Sequence, residues 1–178
     1  MKKTILLLCL ATQFALSGEY LIKTVTPLLR VPARSFYIDS ISCSMVDTLS
    51  FGTASVSFLN IEREIQMDSG LTKVIKHFVR YFAIPKDEFR KIDLQIDSLR
   101  FFERRDDYQE YAISTIMLSF YEDTGESRIL LFKTSCYTQQ ASYWDATQFH
   151  GHNLSIVLNQ GIADFNQFLL LSTPIKTP

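Results

Sequence analysis

From Ile92 to Thr138 the chain alternates apolar and polar residues over three successive stretches, and this run limits the fold more than any other feature. Ile92, Leu94 and Ile96 alternate with Asp93, Gln95 and Asp97, after which Leu99 and Phe101 take the opposite parity. Alternation with period two marks a strand with one buried face, and the change of parity predicts a bulge near Asp97-Ser98. A second strand is expected over Ala112 to Tyr121, with Ile116, Leu118 and Phe120 on one face, and a third over Arg128 to Thr138. The Glu122-Asp123-Thr124-Gly125-Glu126-Ser127 segment has the composition of a hairpin turn. The second and third strands must then be antiparallel neighbours. The charged stretch Glu103-Arg104-Arg105-Asp106-Asp107 reads as a solvated turn between the first two.

A sheet with one apolar face has to bury it under something else. Leu71, Val74, Ile75, Phe78, Val79 and Phe82 fall on one helical stripe, opened by Asp68-Ser69-Gly70 and ended by Pro85. Leu154, Val157, Leu158, Ile162, Phe165, Phe168 and Leu169 form a second stripe, with Asn153 as its expected cap and Ser172-Thr173-Pro174 as its stop. Upstream, Ser35 to Met45 reads as a strand whose parity shifts between Ile38 and Ile41. Ala54-Val56-Phe58 alternates and runs on into Asn60 to Gln66. Glu19 to Val31 starts extended, but Pro27 and Pro32 suit a lead-in or edge segment. The expected architecture is α+β: a two-layer sandwich, mostly antiparallel, of about five strands with two helices on one face.

The N-terminus carries an export signal. Lys2 and Lys3 precede an apolar stretch from Ile5 to Leu16, and Ala15-Leu16-Ser17 offers small residues for cleavage before Gly18. That stretch is shorter than the roughly 20 residues a membrane span needs, and no later segment qualifies. The expected division is a signal peptide over residues 1–17 and one domain over 18–178, delivered to the periplasm or beyond the cell. No cysteine follows the exit at Leu16-Ser17-Gly18-Glu19, so no lipid anchor is expected. Loss of residues 1–17 removes two lysines and no acid, leaving 16 basic against 19 acidic residues and a charge of −3. Such a chain lacks the basic field that nucleic acids require. Cys43 and Cys136 would remain; in an oxidising compartment they form one disulfide or stay as two buried thiols.

Site motifs are sparse, and no catalytic residue, cofactor or metal is expected. His150-Gly151-His152, with Asp145 upstream, is the one local metal candidate, yet zinc sites normally draw on three protein ligands at defined spacing. No Gly-x-Ser-x-Gly and no phosphate-binding glycine loop is present. Lys73, Lys76 and Arg80 form the polar side of the first helix. Asp93 and Asp97 lie on a strand's polar face. Tyr111, Met117, Tyr121 and Tyr137 make the sheet's second face less polar than usual and are the expected partner surface. Tyr143, Trp144 and Phe149, expected as a further part of that partner surface, crowd the polar loop 139–152, either as an exposed binding patch or as a lid.

The order of elements, from the helix Leu71–Phe82 through the strand triplet to the helix Leu154–Leu169, resembles small envelope proteins of Gram-negative bacteria such as the ABC-type transport auxiliary lipoprotein family. The resemblance spans roughly residues 36–170. It implies an α/β sandwich serving as an accessory part of envelope lipid transport; the missing lipobox cysteine is a departure, and no site residue carries over. Together these readings point to an exported, non-enzymatic module that binds an envelope protein or lipid-bearing complex. A small-molecule or lipid carrier with an internal cavity is the alternative. A metal-dependent hydrolase built on His150, His152 and Asp145 is the third reading.

Overall fold

The alternating run folds as a long antiparallel meander in the computed structural model, which describes residues 19–22, 36–44, 51–56, 61–67, 70–79 and 89–172. The expected signal segment, Asp68-Ser69, Phe82, Pro85, Pro27, Pro32 and the tail from Thr173 lie outside these residues. Seven strands are described: β1 (Tyr20–Ile22), β2 (Phe36–Cys43), β3 (Thr53–Val56), β4 (Ile61–Met67), β5 (Arg90–Arg105), β6 (Glu110–Asp123) and β7 (Arg128–Ser142). β5, β6 and β7 pair antiparallel in sequence order. The register of β5 skips Asp97, between Ile96 and Ser98, where the parity of the sequence changes. β2 skips Asp39 in the same way.

The expected single, mostly antiparallel sheet of five strands is not what forms. β2 pairs in parallel with β5, giving a four-stranded sheet of order β2-β5-β6-β7. β1, β4 and β3 make a second sheet in that order, with β1 parallel to β4 and β3 antiparallel to it. Parallel neighbours need a crossover of a dozen or more residues, and the chain between β2 and β5 supplies one through β3, β4 and a helix.

The two sheets meet at Phe51-Gly52. Phe101 N–H on β5 donates to the Phe51 carbonyl at 2.7 Å, while Phe51 and Ile65 exchange bonds with β4 and Gly52: Phe51 N–H donates to Ile65 O at 3.1 Å and Ile65 N–H to Gly52 O at 2.9 Å. Gly52 has φ of 134°, and a Cβ there would sit 1.8 Å from the Phe101 carbonyl oxygen. Only glycine lets the backbones approach this closely. β5 thus holds β2 along the first half of one edge and meets the second sheet at a single bridge, Gly52–Phe101, farther along the same edge.

Helix α1 (Leu71–Val79) packs against β2, and helix α2 (His150–Ser172) lies across β6 and β7. Both stripes join one core with the covered face of the sheet. Phe165 stacks on Phe120 at 4.2 Å and meets Phe36 edge-on at 4.8 Å; Phe168 stacks on Phe132 at 5.0 Å. Asn153 does not cap α2. A 3-10 turn, Thr147–Phe149, leads into the helix from His150, and Asp145 Oδ1 opens it by accepting the Thr147 N–H at 2.8 Å. Asn153 is buried in the first turn, its Nδ2 donating to the Ala112 carbonyl at 2.9 Å. The connections are also shorter than expected: β5 continues through Arg105 and β7 through Ser142.

Candidate functional site

The side of the four-stranded sheet turned away from both helices gathers Tyr111, Met117, Tyr121 and Tyr137. Register fixes this. Leu94, Ile96, Leu99 and Phe101 face the core opposite Phe120, Leu118, Ile116 and Ser114, so the intervening residues point the other way. The open rows read Asp93–Tyr121–Leu130, Gln95–Ser119–Lys133, Ser98–Met117–Ser135, Arg100–Thr115–Tyr137, Phe102–Ile113–Gln139 and Arg104–Tyr111–Ala141. Along β6 Ile113 and Ser119 are buried even on this face. Phe102 and Tyr137 are 42% and 53% exposed. Two guanidinium groups lie over tyrosine rings: Arg104 over Tyr111 at 5.0 Å and Arg128 over Tyr121 at 4.0 Å. These cation–π contacts hold flat, amphipathic surfaces in place at little further entropic cost on binding.

Asp97, the bulged residue, anchors a polar network on one half of this face. Its Oδ2 accepts from Lys133 Nζ at 2.8 Å and Ser119 Oγ at 2.7 Å, and its Oδ1 accepts from Gln95 Nε2 at 2.7 Å. Desolvation by itself raises the carboxyl pKa, but these three donors outweigh it and hold the group below the usual aspartate value. Arg128 extends the network, donating to Gln95 Oε1 at 3.1 Å and pairing with Asp93 at 3.6 Å; Ser40 Oγ donates to Asp93 at 2.5 Å. Arg90 and Glu122 share the parity of Ile92 and Phe120, so their two bonds, at 2.9 and 2.6 Å, lie at the end of the covered side and are no part of this network. The face therefore has a fixed polar half and an aromatic half around Phe102, Tyr111 and Tyr137. In the chain's pattern, only the parity change that marks its bulge points to the Asp97 network.

The metal candidates do not converge. His150 and His152 are two residues apart on α2, so they project about 200° from one another around the helix. His150 is fully buried and donates from Nε2 to Glu103 Oε1 at 3.0 Å. Asp145 is engaged with the Thr147 amide. No trio of His, Cys, Asp or Glu that could hold a metal occurs among the described residues. Glu103 belongs to β5 and faces the core, not the solvated turn expected of it, where its carboxylate accepts from His150 in the first turn of α2. Ser114, one row along on β6, is also fully buried, and its hydroxyl has no hydrogen-bond partner among the described residues. The Glu103–His150 bond ties the start of α2 to β5.

Cys43 and Cys136 are not bridged. They sit on β2 and β7, the two outer strands of the four-stranded sheet, with β5 and β6 between. Three strand spacings separate them by about 14 Å, twice what a disulfide tolerates between Cα atoms. Cys136 is buried beneath α2, and desolvation raises its thiol pKa to about 11. Tyr143 and Trp144 do not join the open face. They follow β7 at its end and are strongly exposed, Trp144 at 87%, whereas Phe149 is half-buried in the turn before α2. They are an exposed patch and not a lid. No helix among the described residues is long and apolar enough to cross a membrane.

No protein-family model matches the chain, and no curated protein matches it. Among solved structures it is similar to the crystal structure of protein XCC0632 from Xanthomonas campestris, assigned to the family DUF330. The identity is 11%, the TM-score 0.44, and the alignment covers 87% of this chain and 95% of that one.

Proposed function

We propose that this chain is an exported, non-enzymatic module of the cell envelope that binds an envelope protein or a lipid-bearing complex through the open face of its four-stranded sheet. One observation carries the reading. Both helices bury their stripes against the other face, and the one turned away from them presents Phe102, Tyr111 and Tyr137 beside a pre-ordered polar network. An antiparallel sheet can leave one face wet, but that face is then ordinarily polar. Rigid aromatics with a polar rim are the usual make-up of a protein interface. The apolar N-terminal stretch and its small-residue exit support export. β1 begins at Tyr20, two residues beyond the expected new terminus at Gly18, so removal of the signal would leave the first strand whole. The resemblance in element order to auxiliary envelope proteins is what suggests lipid transport or assembly as the setting.

The test is capture of tagged chain from the envelope of the source cell, comparing the wild type, Phe102→Ala/Tyr137→Ala on the open face, and Gln160→Ala on the outer side of α2. The wild type and Gln160→Ala should retain the same component, and the double variant should retain at least tenfold less. Equal retention by all three, or chain that fractionates with the cytoplasm, overturns the proposal.

A further inference from the structure

β7 ends the sheet order, and its outer edge pairs with none of the described residues. Soluble proteins guard such edges with charge, proline or short length, because bare strand edges pair with other chains. β7 is 15 residues long, and from Thr134 to Ser142 it has no charge, no proline and no glycine. The nearest ammonium does not guard it: Lys133 is drawn back over the open face to Asp97. Asp164 on α2 is held on the covered side, accepting from the Thr134 hydroxyl at 3.1 Å.

The ends of this strand carry apolar groups that need covering. Tyr143 and Trp144 follow directly after Ser142. At the other end Ile129 and Leu130 are about half exposed, at 47% and 50%. Leu170 and Leu171, also exposed, come just after Phe168, whose ring stacks on Phe132 of the same strand. One end offers aromatic rings and the other aliphatic groups beside a phenylalanine stack. An antiparallel two-fold pairing places one end of each strand against the opposite end of its mate, which is the self-complementarity an isologous dimer requires.

We propose that a second copy of this chain pairs antiparallel with the Thr134–Ser142 edge about a two-fold axis at Thr138, joining two four-stranded sheets into one. In that register Thr138 faces Thr138 of the second copy, Tyr137 faces Gln139 and Ser135 faces Ala141. Trp144 comes level with Phe132 of the second copy, and Tyr143 with Lys133. No charged residue opposes another: the two Thr134–Asp164 pairs lie about 27 Å apart along the strands. The proposal concerns the strand edge and does not depend on the open face having a partner.

The chain is expressed from Met1, purified in the form the cell leaves, and its mass followed by sedimentation across a dilution series. Ser135 and Ala141 are exposed and about 20 Å apart within one strand, but opposite each other across the axis. Ser135→Lys/Ala141→Lys therefore sets like charges face to face only in the dimer, and Ser135→Glu/Ala141→Lys sets opposite ones. The wild type should be dimeric, the double-lysine variant should dissociate at least tenfold more readily, and the Glu/Lys variant should recover the dimer. Circular dichroism checks that each variant is folded. Hydrogen exchange on the wild type gives a second readout, with amides of Thr134–Ser142 losing protection on dilution. A monomeric wild type, a double-lysine variant as dimeric as the wild type, or equal weakening by both variants overturns the proposal.

Discussion

Gly52→Ala is the sharpest test of how the two sheets are joined. The added methyl would lie 1.8 Å from the Phe101 carbonyl oxygen and 2.9 Å from its carbon, both backbone atoms with no side-chain freedom to yield. Relief needs a shift of well over 1 Å, enough to break the Phe101 N–H bond to Phe51 at 2.7 Å and the Ile65 N–H bond to Gly52 at 2.9 Å. Each lost bond costs about 1 kcal/mol, and holding alanine at φ of 134° adds about 1–3 kcal/mol. The sum, about 3–5 kcal/mol, is a large share of the 5–15 kcal/mol that typically holds a domain together. Gly125→Ala is the control. Its φ is 83°, but nothing lies within 4 Å of the added methyl, so it carries only the strain of about 1 kcal/mol. Urea unfolding followed by fluorescence reads both. A loss of about 3–5 kcal/mol for Gly52→Ala beside about 1 for Gly125→Ala is expected; equal losses would refute the close approach as the reason for glycine.

Other outcomes follow from the buried and charged groups. Glu103→Ala should destabilise by about 2–3 kcal/mol, because it strands the buried His150 Nε2–H, and Glu103→Gln should recover part of that; chemical denaturation decides it. Asp97 has a depressed folded pKa, so its contribution is present above the unfolded value near 3.9 and is lost as pH falls through the folded one. The gap in urea midpoint between wild type and Asp97→Asn should therefore be widest at neutral pH and narrow in acid; a gap independent of pH contradicts the network. Cys43 should alkylate faster than Cys136, whose thiol is buried and pushed up to about 11. After denaturation without reductant, mass analysis should find two modifiable thiols in a chain that has lost its N-terminal segment, and three in one that retains Cys9.

Much of this architecture is legible in the chain, and what is not fails for definable reasons. Bulges at Asp39 and Asp97 show as parity changes because side chains alternate strictly on a strand. The hairpin at Thr124–Ser127 and both helical stripes are equally plain, being local. The parallel pairings are not: which strand returns beside β5 depends on the path through β3, β4 and α1. Glu103-Arg104-Arg105 looks like a turn because charge hides a strand's rhythm; the His150 that bonds the core-facing glutamate lies 47 residues on, out of reach of any local pattern. Asn153 looks like a cap because asparagine favours that position, yet the helix starts earlier and uses its amide to hold Ala112. The open-face positions Tyr111, Met117, Tyr121 and Tyr137 share parity and can be grouped from the chain alone. Tyr143 and Trp144 lie beyond the last strand, where periodicity gives no direction.

The open face of the sheet is proposed to meet a partner in the envelope. In-cell photo-crosslinking tests it most directly, with a photoreactive residue at Thr115 in the middle of that face and, separately, at Gln160 on the outer side of α2. One defined adduct with an envelope component is expected from Thr115 and none from Gln160. No adduct from Thr115, or the same adduct from both positions, would contradict it.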